Sequence, residues 1–160
     1  MGDAETLFRL SGLNAAYAAA IDADRLEAWP DFFTEDCLYR ITTADNQARG
    51  LPAGIIHAEG RGMLIDRVAA LRKANIYERQ RYRHIICMPV IVGLDGGVVT
   101  AQTAFVVVRT MRDGRMDLFA AGLYADRVRM DGPELTGPRL AERVVVCDSQ
   151  RFDTLLAIPL

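Results

Sequence analysis

The sequence is poor in side chains that bind redox metals. It has two histidines, His57 and His84, and three cysteines, Cys37, Cys87 and Cys147, all far apart. There is no C-x2-C pair, which excludes a zinc finger or ribbon. There is no C-x-H matched by C-x2-H, so this chain cannot ligate a Rieske cluster by itself. An iron site of two histidines and a carboxylate would need His57 and His84 to meet, and nothing in their spacing favours it. Phosphate-binding loops are missing too. Gly60-Arg61-Gly62 opens a G-x-G-x-x-G pattern, but the next required glycine is Ile65. Walker A and the G-x-S-x-G elbow are absent.

Other absences bound the setting. No apolar run is long enough to span a bilayer, and the acidic start MGDAETLFRL has no signal-peptide core. Gly2 and Thr6 fit a loose myristoylation pattern, but Asp3 and Glu5 would be repelled by anionic lipid. The formal net charge of −2 gives no field to attract nucleic acid or a membrane. An odd cysteine count without framework spacing points to a reducing, cytoplasmic setting and to buried thiols.

What the chain does have is apolar surface. Hydrophobic residues make up 51% of its 160 residues, enough for a sizeable core. With no linker or repeat to divide it, 1–160 reads as a single domain. Leu7, Leu10, Leu13, Tyr17 and Ile21 recur at helical spacing. Asp24 followed by Glu27 reads as a capping box. Pro30 cannot sit inside a regular helix, so 25–33 is expected as two short turns around Trp29, Phe32 and Phe33. A strand is expected over 37–42, a loop over 43–53, a short strand near 55–57 and an amphipathic helix over 63–74. Strands at 84–92, 98–109, 116–130 and 139–148 are punctuated by Gly96-Gly97, Asp113-Gly114 and Asp131-Gly132-Pro133. The end, 155–160, is extended and apolar. Helices followed by a meander of long strands predict an α+β fold, a strongly curved antiparallel sheet closed into a cone by the N-terminal helices.

Two strands are apolar on both faces. In 84–92, Ile86, Met88, Val90 and Val92 alternate with Ile85, Cys87 and Ile91; in 98–109, Val106, Val107 and Val108 are consecutive. A sheet with one wet face would alternate. The second face therefore predicts a cover, and in a chain this small another polypeptide would supply it.

A cone with a cavity could house acid–base chemistry. His84 would be the base, Tyr39 or Tyr124 the hydrogen-bond donor, and Asp24 or Asp36 the orienting carboxylate. The plainer alternative makes His84 a strand-edge residue, Asp24 a helix cap and the tyrosines half-buried aromatics. Arg72, Lys73, Arg79, Arg81 and Arg83 form a basic run interleaved with Tyr77 and Tyr82. A solvated loop with Glu78 as counter-charge, a protein interface and a nucleic-acid contact are its readings. The last is weakened by the acidic balance and the absence of a binding motif.

Three stretches in order, DRLEAWPDFFTEDCLYRIT (24–42), MLIDRVAALRKANIYERQRYRHII (63–86) and LAERVVVCDSQRFDTLLAIPL (140–160), resemble the small (β) subunit of bacterial aromatic-ring-hydroxylating dioxygenases. The likeness is nearest to subunits acting on terephthalate, salicylate or anthranilate. It implies the cone-shaped nuclear-transport-factor-2-like (NTF2-like) fold. It implies a large α-subunit partner carrying the Rieske [2Fe–2S] cluster and mononuclear Fe(II), commonly as three large and three small chains. Electrons would come from NAD(P)H through a reductase or ferredoxin. This chain would then bind no cofactor or metal and hold no catalytic residue. Asp66 and Arg67 fall on the family's "DR" signature, and Arg83 and His84 on its "RH" signature; with Arg81 they are expected as structural or interface residues. GIIHAEG (54–60) departs from the usual aromatic, acidic segment and leaves His57 without an inherited role. A stand-alone dehydratase or isomerase, and a scaffolding module without an enzymatic partner, are the alternatives.

Overall fold

The computed structural model describes residues 3–52, 54–74, 79–131, 136–150, 156 and 158–160. Its elements run in order: helix α1 (Asp3–Asp22), a 3-10 helix (Leu26–Phe32), strand β1 (Phe33–Thr43), helix α2 (Ala44–Ala48), strand β2 (Ile56–Glu59), helix α3 (Arg61–Ala74), and strands β3 (Gln80–Ile86), β4 (Val90–Asp95), β5 (Val98–Met111), β6 (Met116–Arg129) and β7 (Arg139–Cys147). Tyr77, Glu78, Gly132, Pro133 and Leu155, used in the sequence reading, lie outside the described residues.

Among the described residues, seven strands form one sheet in the order β2-β1-β7-β6-β5-β3, with β4 also paired to β5. The expected meander is there, β5 against β6 and β6 against β7, both antiparallel. The sheet is mixed rather than wholly antiparallel, because β1 lies parallel to β7. A parallel neighbour needs a crossover instead of a hairpin, and everything from α2 to β6 supplies it. Helices α1 and α3 and the 3-10 helix pack on one side, α1 against β3 and α3 against β1 and β2. Between helices and sheet lies an aromatic core. Trp29 stands edge-on to Tyr39 at 5.0 Å and to Phe33 at 5.6 Å.

Local details differ from the sequence reading. Asp24 is not a cap: it sits at φ 57, and the 3-10 helix starts from Arg25 with no side-chain cap bond. The loop at 43–53 contains α2, capped by the Thr43 hydroxyl, which accepts from the Asn46 N–H. The expected strand 84–92 is two strands. Pro89 has no N–H to give the ladder, and Ile86 pairs with Phe105 while Val90 pairs with Gln102, so the segment joining β3 to β4 carries one extra residue relative to β5. That extra residue reverses the alternation: Ile86 and Ile91 both pack toward the core, and Val90 faces outward. A second irregularity falls in β6, where Val107 pairs with Ala120 and Val108 with Leu118. Phe119, the unpaired residue between them, turns inward along with Ala120.

One glycine is demanded by close approach. A Cβ on Gly122 would collide with the Val146 carbonyl oxygen and lie 3.1 Å from the Cys147 Cα. Backbone cannot yield as a side-chain tip can. Gly122→Ala is expected to cost about 2–3 kcal/mol by overpacking, read as a lower urea midpoint with an unchanged slope.

Candidate functional site: a filled interior and an uncovered sheet face

His84 lies on β3, beside the end of α1. Its side chain is wholly buried, and Nδ1 is 2.6 Å from Asp22 Oδ1. The His84 backbone N–H donates to Asp22 Oδ2 at 3.0 Å. One carboxylate thus holds both the ring and the main chain of an edge strand, and it covers that edge as well. The orienting carboxylate is Asp22, not Asp24 or Asp36. Asp24 and Glu27 instead receive Arg72, and Asp36 is exposed, 3.9 Å from Arg129. The tyrosines do not meet His84 either. Tyr39 bonds to Leu160, and Tyr124 stacks on Phe105 at 4.4 Å. The candidate acid–base constellation is not assembled.

The interior is occupied by protein. Arg143 on β7, with no exposed side-chain surface, donates Nε and Nη2 to Asp126 at 2.9 and 2.7 Å, and Nη2 also reaches Asn14 Oδ1 at 2.5 Å. Its guanidinium lies 4.3 Å from the Tyr17 ring centroid and 4.1 Å from that of Tyr124. Burial works against the charge, but the Asp126 carboxylate overcomes it and holds the Arg143 pKa above its ordinary value. Burial also drives the Tyr39 and Tyr124 hydroxyls well above the usual phenol range. A second buried cation, Arg109, donates to Asp117 at 2.9 and 3.1 Å and covers the Phe119 ring. Neither pair was singled out from the sequence. A charged residue at an inward position of a long strand was the available signal: Arg109 opposite Asp117, and Asp126 opposite Arg143.

The basic run divides. Arg72 clamps Asp24 and Glu27 with five hydrogen bonds of 2.7–3.0 Å. Hydrogen bonding by Arg72 holds the Glu27 carboxyl down at about 2. A depressed acid contributes stability above its unfolded pKa and loses it as pH falls through the folded one. Arg72→Met is therefore expected to destabilise by about 0.5–1 kcal/mol at pH 7, since the groups are largely exposed. The difference from the parent should shrink from pH 4.5 toward pH 2, checked by denaturant midpoints along that range. Arg79 and Arg81 line a groove of about 550 Å³ that also touches Asp22 and Ile158. Arg83 is exposed, 3.8 Å from Asp22, and Tyr82 packs on Phe119 at 5.1 Å. On α3, Asp66 faces solvent, whereas Arg67 donates to the Leu156 carbonyl at 3.2 Å.

The outer face of the sheet is bare where two-sided hydrophobicity predicted a cover. Ile85 and Leu118 are 56% and 78% exposed, and Val90 and Met116 are open as well. Ile85 lies opposite Val106, and Leu118 opposite Val108. These side chains form one aliphatic surface across β3, β4, β5 and β6, edged by Arg83. The short helix α2 touches β1 and β7.

A family model for the ring-hydroxylating β subunit matches residues 16–154. The chain belongs to this family. The β subunit 1 of the terminal oxygenase component of terephthalate 1,2-dioxygenase from Comamonas is 49% identical, over 95% of this chain and 97% of that one. The small subunit of anthranilate 1,2-dioxygenase from Burkholderia cepacia is 41% identical, over 99% and 96%. A crystal structure described as the β subunit of an aromatic-ring-hydroxylating dioxygenase from Novosphingobium aromaticivorans superposes with a TM-score of 0.88, at 40% identity and 97% coverage of both chains. The fold is NTF2-like, with an open sheet. As a ring-hydroxylating β subunit, the chain is part of an oxidoreductase complex, and its family implies an α-subunit partner.

The described residues of this β subunit do not fit an iron centre. His57 is on β2 and His84 on β3, opposite ends of the sheet order. His57 is exposed and bonds Glu59 at 2.9 Å, while His84 is committed to Asp22. Among the described residues, no three His, Cys, Asp or Glu side chains are grouped to hold a metal ion. Cys37 and Cys147 are buried and Cys87 is exposed. Burial lifts the Cys147 thiol to about 12. No helix is long and apolar enough to cross a membrane among the described residues.

Proposed function

We propose that the whole chain acts as one domain, the non-catalytic structural β subunit of a Rieske non-haem iron dioxygenase that oxygenates a carboxylated aromatic ring. The observation that carries this reading is 49% identity, over 95% of the chain, with the β subunit of a terephthalate dioxygenase. The Rieske cluster and the mononuclear iron would be held by the α subunit. Three α and three β chains would assemble, with electrons delivered from NAD(P)H by a reductase or ferredoxin, in the cytoplasm. The aliphatic outer face of β3, β4, β5 and β6 supports this division of labour. A monomer rarely leaves so many large side chains of one sheet face in water, and partner chains would cover them. Arg81 stands exposed at the groove and Arg83 beside the aliphatic face, as contact residues would, and Asp66 is exposed on α3. Arg67 and His84 act within the chain, as packing and strand-edge residues.

The test is co-expression with the gene of a large α subunit of this family. The expected product is a coloured complex whose iron and acid-labile sulfide travel with the larger chain. In that complex His84→Ala should leave turnover within about twofold. Turnover of an aromatic substrate by this chain without a partner, or loss of all turnover in an intact His84→Ala complex, would refute the proposal.

A further inference from the structure

Leu156 and residues 158–160 lie inside the cone. Leu156, Ile158, Pro159 and Leu160 are buried, Leu160 completely. They belong to no strand of the sheet. Side chains from three separate elements hold them instead. From α3, Arg67 donates to the Leu156 carbonyl at 3.2 Å. From α1, the Tyr17 hydroxyl donates to the Leu160 main-chain oxygen at 2.7 Å. From β1, the Tyr39 hydroxyl reaches the same oxygen at 3.2 Å and lies 3.1 Å from the Leu160 N–H, which donates to it.

This is how a receptor holds a peptide rather than how a sheet holds a strand. The main-chain groups of one apolar residue are read by fixed hydroxyls, and its side chain enters a chamber walled by aromatic rings. The donors are preorganised. Tyr17 is fixed by edge contacts with Phe32, Phe33 and Tyr124 and by the Arg143 guanidinium over its ring. Tyr39 is fixed between Trp29 and Phe33. None of these supports comes from the segment itself, so the chamber can persist when the segment leaves.

We infer that the interior of the cone is a binding site for a short apolar peptide segment presenting a leucine-type residue, occupied by the chain's own Leu156 and residues 158–160 as a separable plug. The plug excludes small molecules from the interior. The inference does not depend on the dioxygenase assignment.

The experiment uses the full chain carrying Ile158→Ser and Leu160→Ser, with acetyl-Leu-Ala-Ile-Pro-Leu added in trans. Trp29 is the chain's single tryptophan and lies 5.0 Å from the Tyr39 ring, so its emission reports on the chamber. The double variant should melt about 8 °C or more below the parent. Peptide at about 1 mM should raise its Tm by about 3 °C or more and shift Trp29 emission to the blue, leaving the parent, whose site is filled, unmoved. A double variant with the parent's Tm overturns the inference, as does a folded double variant that the peptide neither stabilises nor shifts. If the double variant does not fold, Tyr39→Phe decides. Amide exchange across 156–160 should then accelerate about tenfold or more while β5 and β6 keep their protection, and unchanged exchange overturns the inference.

Discussion

Asp126→Ala is expected to remove about 3–5 kcal/mol from the folding free energy. That is a large share of the about 5–15 kcal/mol that holds a typical domain together. Arg143 has no exposed side-chain surface, and Asp126 is its charge partner, with Asn14 as a neutral one. Truncating the aspartate leaves a guanidinium in the core between two tyrosine rings. Its charge cannot be shed, because arginine does not deprotonate at accessible pH. The companion variant, Asp126→Leu with Arg143→Met, removes both charges at once and keeps most of the volume. It should cost distinctly less than either single change, since buried pairs stabilise little over apolar replacements. Urea unfolding of the parent, Asp126→Leu, Arg143→Met and the double variant closes the cycle. A single Asp126→Ala variant within about 1 kcal/mol of the parent would mean that the interior tolerates the bare cation.

Ile85→Asp with Leu118→Asp is expected to leave the fold intact and dismantle the assembly. Both side chains already face solvent in the single chain, 56% and 78% exposed. An aspartate there disturbs little until a partner approaches. Covering two such side chains is worth about 1.5–3 kcal/mol each, and each 1.4 kcal/mol is about a decade in affinity. Association should therefore weaken by about a hundredfold to ten-thousandfold before the cost of burying the new charges is added. Sedimentation of the co-expressed complex reads the result: β chains sediment free of large subunits or as single copies, with unchanged circular dichroism. An assembly of parent mass would place the contact surface elsewhere.

The patterns that survived from sequence to structure were those set by burial. Apolar periodicity placed α1, α3 and the long strands, and the glycine pairs placed the turns. Gly96 and Gly97, at φ 55 and 79, form the tight hairpin the sequence announces. Hydrophobicity on both faces of β5 announced a face that the described residues leave open. What failed was local. Asp24 followed by Glu27 looked like a cap, but long-range pairing with Arg72, on another helix, overrode it. The break at Pro89 was visible as a proline within a strand and still went unread, which inverted the assignment of faces beyond Cys87. The candidate His84 was well placed, but its partner Asp22 is 62 positions away in sequence, and such a pairing carries no local signature. The parallel β1–β7 contact was invisible for the same reason. Strand order between distant segments depends on how the whole sheet closes, not on any window of residues.

That parallel contact sets a schedule for biosynthesis. Tyr39 finds its neighbour in Arg143 and Thr43 in Cys147, so the earliest strand to leave the ribosome must wait for the latest. Until then only the short ribbon from Ile56 to Glu59 lies alongside it. Nascent chains of this protein carry a half-matched hydrophobic edge through most of translation, and topologies with such distant pairings fold slowly. Yield in a heterologous host should accordingly respond to chaperone supply and to slower elongation at lower temperature.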